Sequence, residues 1–176
     1  LKNFTTEIRI EAWVKLRSLR SPHNGTLVSR NGPYLLAIND SKLFAGVYSV
    51  TNAGTQSWTE VTGSTTLQLN RWYHLMMNYS IAGLNVYVDG VLDGSTPSTG
   101  AIHIDDHPVY FGWGEPGQDD YFNGTIDEIK IFNVASPPQQ SPPLTKEHTV
   151  KLRVDGGDLL LGSPGAAVIL RSIDNS

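Results

Sequence analysis

The chain has 176 residues, with 13 Lys and Arg against 17 Asp and Glu, a net charge of −4 and no cysteine. A chain of this length is predicted to form one domain with its own core. Its negative charge argues against a protein that tracks nucleic-acid phosphates, and the lack of thiols excludes disulfides and thiolate metal sites. Because of this charge we expect no nucleic-acid partner. No apolar run approaches the roughly 18 residues of a membrane span, so we expect no membrane insertion.

Strand patterns begin near the N-terminus and recur to about residue 132. In residues 5–17 the apolar side chains of Ile8, Ile10 and Val14 alternate with polar ones such as Glu11, which is the pattern of a strand with one buried face. The pair Asp89-Gly90 predicts a tight hairpin. Similar runs cover residues 25–30, 34–38, 42–50, 57–61, 72–79, 84–88, 109–113 and 125–132. Many short strands at this spacing predict an antiparallel sandwich or barrel.

The strand pattern ends in a proline-rich segment. Residues 136–143 hold four prolines in eight positions, which cannot pair in a sheet and are typical of a stiff spacer. Two or three further short strands are predicted beyond it. Because so few strands are marginally stable alone, we expect them to pack on the main domain or on other copies of the chain. The predicted organisation is a domain at 1–136, a linker at 137–148 and a short hairpin-like extension at 149–176.

Five short motifs follow one another along the chain. They read FTTEIRIEAWVK, GTLVSR, WYHL, LNVYVDG and FNGTIDEI, at residues 4–15, 25–30, 72–75, 84–90 and 122–129. In this order they resemble the strands of the laminin-G-like, concanavalin A-like jelly-roll domain, which is related to the pentraxins. The resemblance implies an all-β fold of two antiparallel sheets packed face to face, with Trp13, Trp72 and Tyr73 giving bulk between them. It also implies glycan or protein binding at cell surfaces and, in many members, one structural calcium ion.

The enzymes of this fold, the laminarinase-type glucanases, need two carboxylates that flank a glycosidic bond, about 5–5.5 Å apart in a retaining enzyme. Asp127 and Glu128 are adjacent in the sequence and therefore point to opposite faces of a strand. No Gly-x-Ser-x-Gly nucleophile elbow occurs either. We therefore expect a domain that is not an enzyme.

Two places are candidates for calcium. The loop at residues 115–120 contains Asp119 and Asp120 among other oxygen donors, which suit calcium and resemble a pentraxin ligand loop in composition. Separately, Asp127 matches the aspartate that often binds structural calcium in the family. The alternative is a solvated turn at 115–120 and an Asp127 that caps local backbone. Residues 103–107, which contain two histidines, are expected to form a polar loop rather than a metal site.

A glycan site is predicted around Trp113. An aromatic ring can stack on the apolar face of a sugar while nearby polar groups bond its hydroxyls. The predicted site combines Trp113, Glu115, Gln118, Asp119 and Tyr121, with Trp58 as a further aromatic candidate. The alternative is that Trp113 continues the inward face of Val109 and Phe111, with which it alternates.

The favoured function is a non-catalytic carbohydrate-binding or adhesion module of a larger extracellular, cell-surface or virion protein. The last residues resemble the repeated short strands of phage tail fibres, which implies copies that associate, commonly as trimers. The main alternative is therefore a structural or oligomerisation domain of such a fibre. A third is an accessory domain of a secreted glycoside hydrolase, with the proline segment as an interdomain linker.

Overall fold

The computed structural model describes residues 6–18, 23–103, 105–113 and 120–135 and two short strands near the C-terminus. The described secondary structure consists of strands joined by turns. The strands are β1 Ile8–Leu16, β2 His23–Arg30, β3 Tyr34–Asn39, β4 Lys42–Val50, β5 Gln56–Thr62, β6 Trp72–Ser80, β7 Gly83–Val88, β8 Val91–Thr96, β9 Ala101–Ile102, β10 Val109–Phe111, β11 Gly124–Phe132, β12 Leu159–Leu161 and β13 Ala166–Ala167. Within these residues no helix is long and apolar enough to cross a membrane.

The strands form two sheets. The six-stranded sheet has the order β13-β11-β1-β6-β7-β8, and the seven-stranded sheet has the order β12-β10-β2-β3-β4-β5, with β9 paired to β4. Pairing is antiparallel throughout the sandwich, while β12 and β13 join the edges of the two sheets in parallel. The two-sheet antiparallel jelly roll predicted from the sequence is confirmed.

The core lies between the inner faces of the two sheets. On β1 the side chains of Ile8, Ile10, Ala12, Val14 and Leu16 are all fully buried there. They pack with the inward residues of neighbouring strands and of the opposite sheet, such as Leu36, Ile38, Leu43, Leu75, Met77 and Tyr79. The alternation predicted for residues 5–17 is therefore confirmed. Burial of this apolar surface is the main term that stabilises the fold.

Two tryptophans expected between the sheets lie elsewhere. Tyr73 belongs to the core, but Trp13 and Trp72 are on the outer face of the six-stranded sheet. Trp13 contacts the His74 ring at 5.2 Å between centroids, and Lys15 lies over Trp72 at 5.1 Å. The expectation was wrong for these two residues because each alternates with an inward neighbour, Val14 or Tyr73, and so points the opposite way.

The predicted hairpin at Asp89-Gly90 is confirmed. It joins β7 to β8, with Val88 paired to Val91. Both turn residues have positive φ, 50° at Asp89 and 81° at Gly90, which matches a two-residue type I′ turn. The Asp89 carboxylate also accepts a hydrogen bond from the backbone N–H of His74 at 2.9 Å, so the turn is tied to the adjacent strand.

The C-terminal extension contributes β12 beside β10 and β13 beside β11. Both strands pair with the sandwich, in line with the expectation that the tail packs on the main domain. The linker predicted at 137–148 lies outside the described residues. The domain boundaries at 136 and 148 therefore stay predictions.

Candidate functional site

The outer face of the seven-stranded sheet carries several aromatic residues that do not enter the core, among them Tyr48, Trp58 and Tyr110. Inward positions of β3 and β4, such as Leu36 and Ala45, belong to the core, and the residues between them point outward. One outward row crosses five strands, because neighbouring residues in it pair directly. It consists of Tyr110, Ser29, Leu35, Gly46 and Glu60, on β10, β2, β3, β4 and β5.

Trp58 packs against this face, with its ring over Gly46. A Cβ placed on Gly46 would overlap Trp58 Cζ2 and lie 2.6 Å from Cη2, so the indole fills the space of the missing side chain. Trp58 remains 42% exposed, and its Nε1–H donates a hydrogen bond to Glu60 Oε2 at 3.2 Å. The ring is thus held in place from below and at its edge while part of it stays open to solvent.

Polar groups surround Trp58. Tyr48 pairs with Trp58 across β4 and β5, and its hydroxyl donates to Gln56 Oε1 at 2.5 Å. The ring of His103 meets Tyr48 edge to face at 5.4 Å. His103 also donates its backbone N–H to the Tyr48 carbonyl, which fixes the loop after β9 beside the aromatic pair.

A second aromatic cluster lies at the β10 side of the same sheet. Trp113 stacks on Tyr121, with centroids 5.6 Å apart and planes 13° apart, and meets Tyr110 nearly perpendicularly at 5.4 Å. Trp113 does not join Val109 and Phe111 in the core. The cause is Gly112, whose φ of 71° turns the backbone and ends the alternation of β10. Trp113 Nε1 is buried without a hydrogen-bond partner in the described part of the chain.

Residues 120–122 are tied to β2 and β10. The Thr26 N–H donates to the Asp120 carbonyl at 2.8 Å, and Thr26 Oγ1 donates to Asp120 Oδ2 at 3.1 Å. The Phe122 N–H donates to the Gly112 carbonyl at 3.0 Å. These bonds hold Tyr121 against Trp113.

The structure brings together only some of the residues of the predicted glycan site. Trp113 and Tyr121 are brought into contact. Glu115, Gln118 and Asp119 lie outside the described residues. Trp58 lies on the same sheet face but on β5, at the other side of the sheet. Sequence reasoning missed Gly46, Tyr48, Gln56 and Glu60 as neighbours of Trp58. The alternation of Gln56, Trp58 and Glu60 in the sequence could have placed these three side chains on one strand face. The sequence does not show that their strand pairs with β4.

The calcium candidates are also separated. Asp120 lies beside β2, where it contacts Thr26. Asp127 lies in β11, buried and paired with Trp13 on β1. Asp127 Oδ1 accepts the N–H of Glu128 at 2.8 Å, next to an irregularity where the register between β1 and β11 shifts. Among the residues that the structure describes, no group of three or more His, Cys, Asp and Glu side chains could hold a metal ion.

The predicted polar loop around His107 is organised by Asp105. The Asp105 carboxylate lies 3.3 Å from Arg30 Nε and 2.9 Å from His107 Nδ1, and it accepts the His107 N–H at 3.1 Å. Arg30 is buried and also donates to the His107 carbonyl at 3.0 Å. Burial raises the pKa of the nearby Tyr34 hydroxyl, so this phenol stays neutral.

The outer face of the six-stranded sheet holds a group of charges in which Glu11 and His74 are buried and Lys130 is exposed. His74 Nε2 lies 3.9 Å from Glu11 Oε2, and Lys130 Nζ lies 3.7 Å from Glu11 Oε1. Burial lowers the pKa of His74, and the negative charge of Glu11 opposes this effect. The buried imidazole is therefore held in its neutral form.

Comparisons with known structures agree with this architecture. A candidate carbohydrate-binding protein of Bacteroides ovatus ATCC 8483 is 20% identical with a TM-score of 0.57, over 74% of this chain and 38% of that one. A heptameric pentraxin of Limulus polyphemus is 16% identical with a TM-score of 0.51, over 75% and 66%. Domain 4 of an extracellular arabinanase from Geobacillus stearothermophilus, solved with arabinotriose, is 18% identical with a TM-score of 0.52, over 72% and 60%.

At these identities the likeness concerns the fold, and the chain spans less than two thirds of the length of each neighbour. No curated protein matches the sequence. A family model does match, and it covers residues 2–140. The chain therefore belongs to the concanavalin A-like lectin/glucanase superfamily.

Proposed function

We propose that this domain is a non-catalytic carbohydrate-binding module whose ligand lies on the outer face of the seven-stranded sheet. The observation that carries the proposal is the placement of Trp58, partly exposed and laid over the bare backbone of Gly46. A flat ring fixed in this way is a ready surface for the apolar face of a sugar. Because its orientation is already set, little side-chain freedom is lost when a ligand binds.

The polar groups around Trp58 suit hydroxyl recognition. Glu60 accepts from the indole N–H through one oxygen, which leaves its other oxygen to accept from a sugar hydroxyl. Tyr48 and Gln56 are bonded to each other, and the Gln56 amide still has its NH₂ group to donate. One ring with a few polar groups is the usual composition of a shallow sugar subsite.

Similar structures support a carbohydrate ligand. One neighbour is a candidate carbohydrate-binding protein, and another is an arabinanase domain solved with arabinotriose. A polysaccharide ligand implies an extracellular or surface location for this domain. Adhesion and a place on a virion stay predictions.

A binding role fits this face better than hydrolysis. A retaining glycosidase needs a second carboxyl about 5–5.5 Å from the first. On the outward positions of β2 to β5, Glu60 is the carboxylate that the structure describes. Asp120, at the β2 and β10 side of the sheet, is engaged by Thr26. We therefore propose that the bound chain is held and not cleaved.

The calcium ion implied by the family resemblance remains a proposal. Asp120 and the undescribed Asp119 form one candidate place, and Asp127 forms the other. The described residues around Asp127 do not assemble a group of three ligands. A bound ion at either place would supply positive charge that fixes the backbone around it.

The test of carbohydrate binding is electrophoresis through native gels that contain arabinan, xylan or mixed-linkage β-glucan. We expect at least one polysaccharide to retard the protein, and Trp58→Ala to abolish the retardation. Gly46→Ala is expected to weaken it by ten-fold or more, because the new Cβ displaces the ring. Thr62→Ala, an exposed change on the same strand, is the matched control and should bind normally.

Thermal melting separates loss of binding from loss of folding in each variant. Failure of every polysaccharide to retard the wild-type protein would contradict the proposal. Equal retardation of the wild type and a folded Trp58→Ala variant would also overturn it.

A further inference from the structure

We propose that the sugar unit bound at Trp58 carries a positive charge, as a free amine that the indole ring and the Glu60 carboxylate bind together. This inference rests on the proposed carbohydrate-binding function and extends it, because it assigns the chemical class of the ligand. Three features carry it: the hydrogen bond between the two side chains, the lack of an ion pair at Glu60 within the described residues, and the charges on this sheet face.

Trp58 and Glu60 form one open unit on β5. Both residues are exposed, and Trp58 Nε1–H donates a hydrogen bond to Glu60 Oε2 at 3.2 Å. This bond holds the carboxylate at the edge of the indole ring and leaves Oε1 to bind a ligand. A sugar that stacks on the ring therefore meets a negative charge at the edge of the ring.

Such a unit suits an ammonium group better than a hydroxyl. The face of an indole ring attracts a cation through the ring quadrupole. An ammonium also adds a full positive charge to the hydrogen bond that a hydroxyl would donate to the carboxylate. At an exposed site the cation–π contact and the ion pair are each worth only a few-fold in affinity, so we expect about ten-fold from the two together.

Glu60 has no cation of its own in the part of the chain that the structure describes. Other carboxylates there lie 3.3–3.7 Å from a lysine or arginine nitrogen, namely those of Glu11, Asp89, Asp105 and Glu128. A positively charged ligand would supply the partner that Glu60 lacks, and no existing ion pair would have to break.

The charges around this unit favour a cation as well. Lys42 is the basic residue among the outward positions of β3 to β5, and it pairs with Asn39 at the far end of β4. It precedes Gly46 by four residues, which is about 13 Å along the strand. The chain as a whole carries a net charge of −4, so its field favours the approach of a positive ligand.

The experiment is isothermal titration with three β-1,4-linked trisaccharides that differ at carbon 2 of each unit: those of glucosamine, N-acetylglucosamine and glucose. It is done at about pH 6, below the pKa of about 8 that such an amine shares with an α-amino group. We expect the glucosamine trimer to bind about ten-fold more tightly than the neutral trimers at low salt, with the difference shrinking as salt screens the charges. Trp58→Ala should weaken the binding of all three trimers.

Two matched variants each remove one negative charge. Glu60→Gln keeps an oxygen that accepts from the Trp58 N–H, and it should lower the affinity for the glucosamine trimer about ten-fold, to that of the neutral trimers. Asp40→Asn removes the same charge from the exposed turn between β3 and β4, where a φ of 46° suits asparagine. It should bind all three trimers as the wild type does.

The outcomes separate this inference from the function on which it rests. Equal affinity of the wild type for the three trimers overturns the positive charge class but leaves carbohydrate binding intact. The same holds if a folded Glu60→Gln variant binds the glucosamine trimer normally, or if Asp40→Asn weakens that binding as much as Glu60→Gln does. Failure of all the trimers and all the polysaccharides to bind overturns both.

Discussion

Two tryptophans on one sheet face have different surroundings and therefore different uses. Trp58 has one side against backbone and is 42% exposed. Trp113 is packed by two tyrosines, one stacked and one perpendicular. A sugar can approach Trp58 directly, whereas at Trp113 it meets a composite surface that includes Tyr121. We therefore propose that Trp58 makes the main stacking contact, although the sequence pointed first to Trp113.

His74 gives a prediction for the pH dependence of stability. Burial lowers its pKa below the ordinary value of 6.5, with Glu11 as the largest opposing charge and Lys130, Asp89 and Glu128 nearby. The unfolded chain therefore binds a proton more readily than the folded chain. The stabilisation by neutral His74 is complete above the ordinary pKa and is lost as the pH falls toward the folded pKa.

We expect the free energy of unfolding to fall from about pH 7 to about pH 5 more steeply in the wild type than in His74→Gln. Urea unfolding at several pH values measures this slope, so a uniform loss of stability in the variant does not disturb the comparison. Parallel curves for the two proteins would contradict the assignment of His74.

The sequence predicted the direction of some side chains but not the contacts of others. Alternation placed Ile8, Ile10 and Val14 inside correctly, because a strand side chain has two possible directions and hydrophobicity selects one. The contact of Trp58 with Gly46 could not be predicted in this way. It depends on which strands are neighbours, and a single sequence does not state strand pairing.

At the scale of elements, β10 shows how one backbone angle changes a site. Val109 and Phe111 enter the core as the alternation predicts. Gly112 then adopts a φ of 71°, which a residue with a Cβ adopts only at a cost. Continued alternation would have placed Trp113 in the core. The sequence shows a glycine at this position but not its backbone angle, so both placements of Trp113 stayed open.

Gly25 gives a prediction about the contact between β2 and residues 121–122. Its φ is 115°, and a Cβ there would overlap Phe122 Cα and lie 2.6 Å from the Tyr121 carbonyl oxygen. These are backbone atoms that cannot turn aside. We expect Gly25→Ala to lower the free energy of unfolding by about 3 kcal/mol or more, as strain adds to overpacking.

Gly54→Ala is the matched control, because Gly54 also has a positive φ, 79°, but nothing lies within 4 Å of its Cβ position. It should lose only about 1 kcal/mol from backbone strain. Urea midpoints of the two variants measure the difference. Equal losses would show that β2 and residues 121–122 are not in the close contact described above.

At the scale of the whole molecule, the order of motifs predicted more than any single motif. Five weak motifs in the expected order predicted the jelly roll, because each strand has one place in that topology. The family match at residues 2–140 agrees with this prediction. The tail was less predictable. Short strands needed partners, but the sequence did not specify that β12 and β13 would each extend a different sheet. The edge positions were open to any strand of suitable length.

The last prediction concerns a bound ion. We expect excess chelator to lower the melting temperature of the protein and added calcium to restore it, because an ion that binds the folded state alone stabilises it in proportion to RT ln(1 + [L]/Kd). Asp120→Asn should remove the response if the ion is held by the loop at 115–120, and Asp127→Asn should remove it if β11 holds the ion. Magnesium in place of calcium is the control, since its small octahedral shell suits a different ligand set. A melting temperature that chelator does not change would contradict calcium at both places. Asp127 would then serve the backbone of β11, through its bond to the Glu128 N–H.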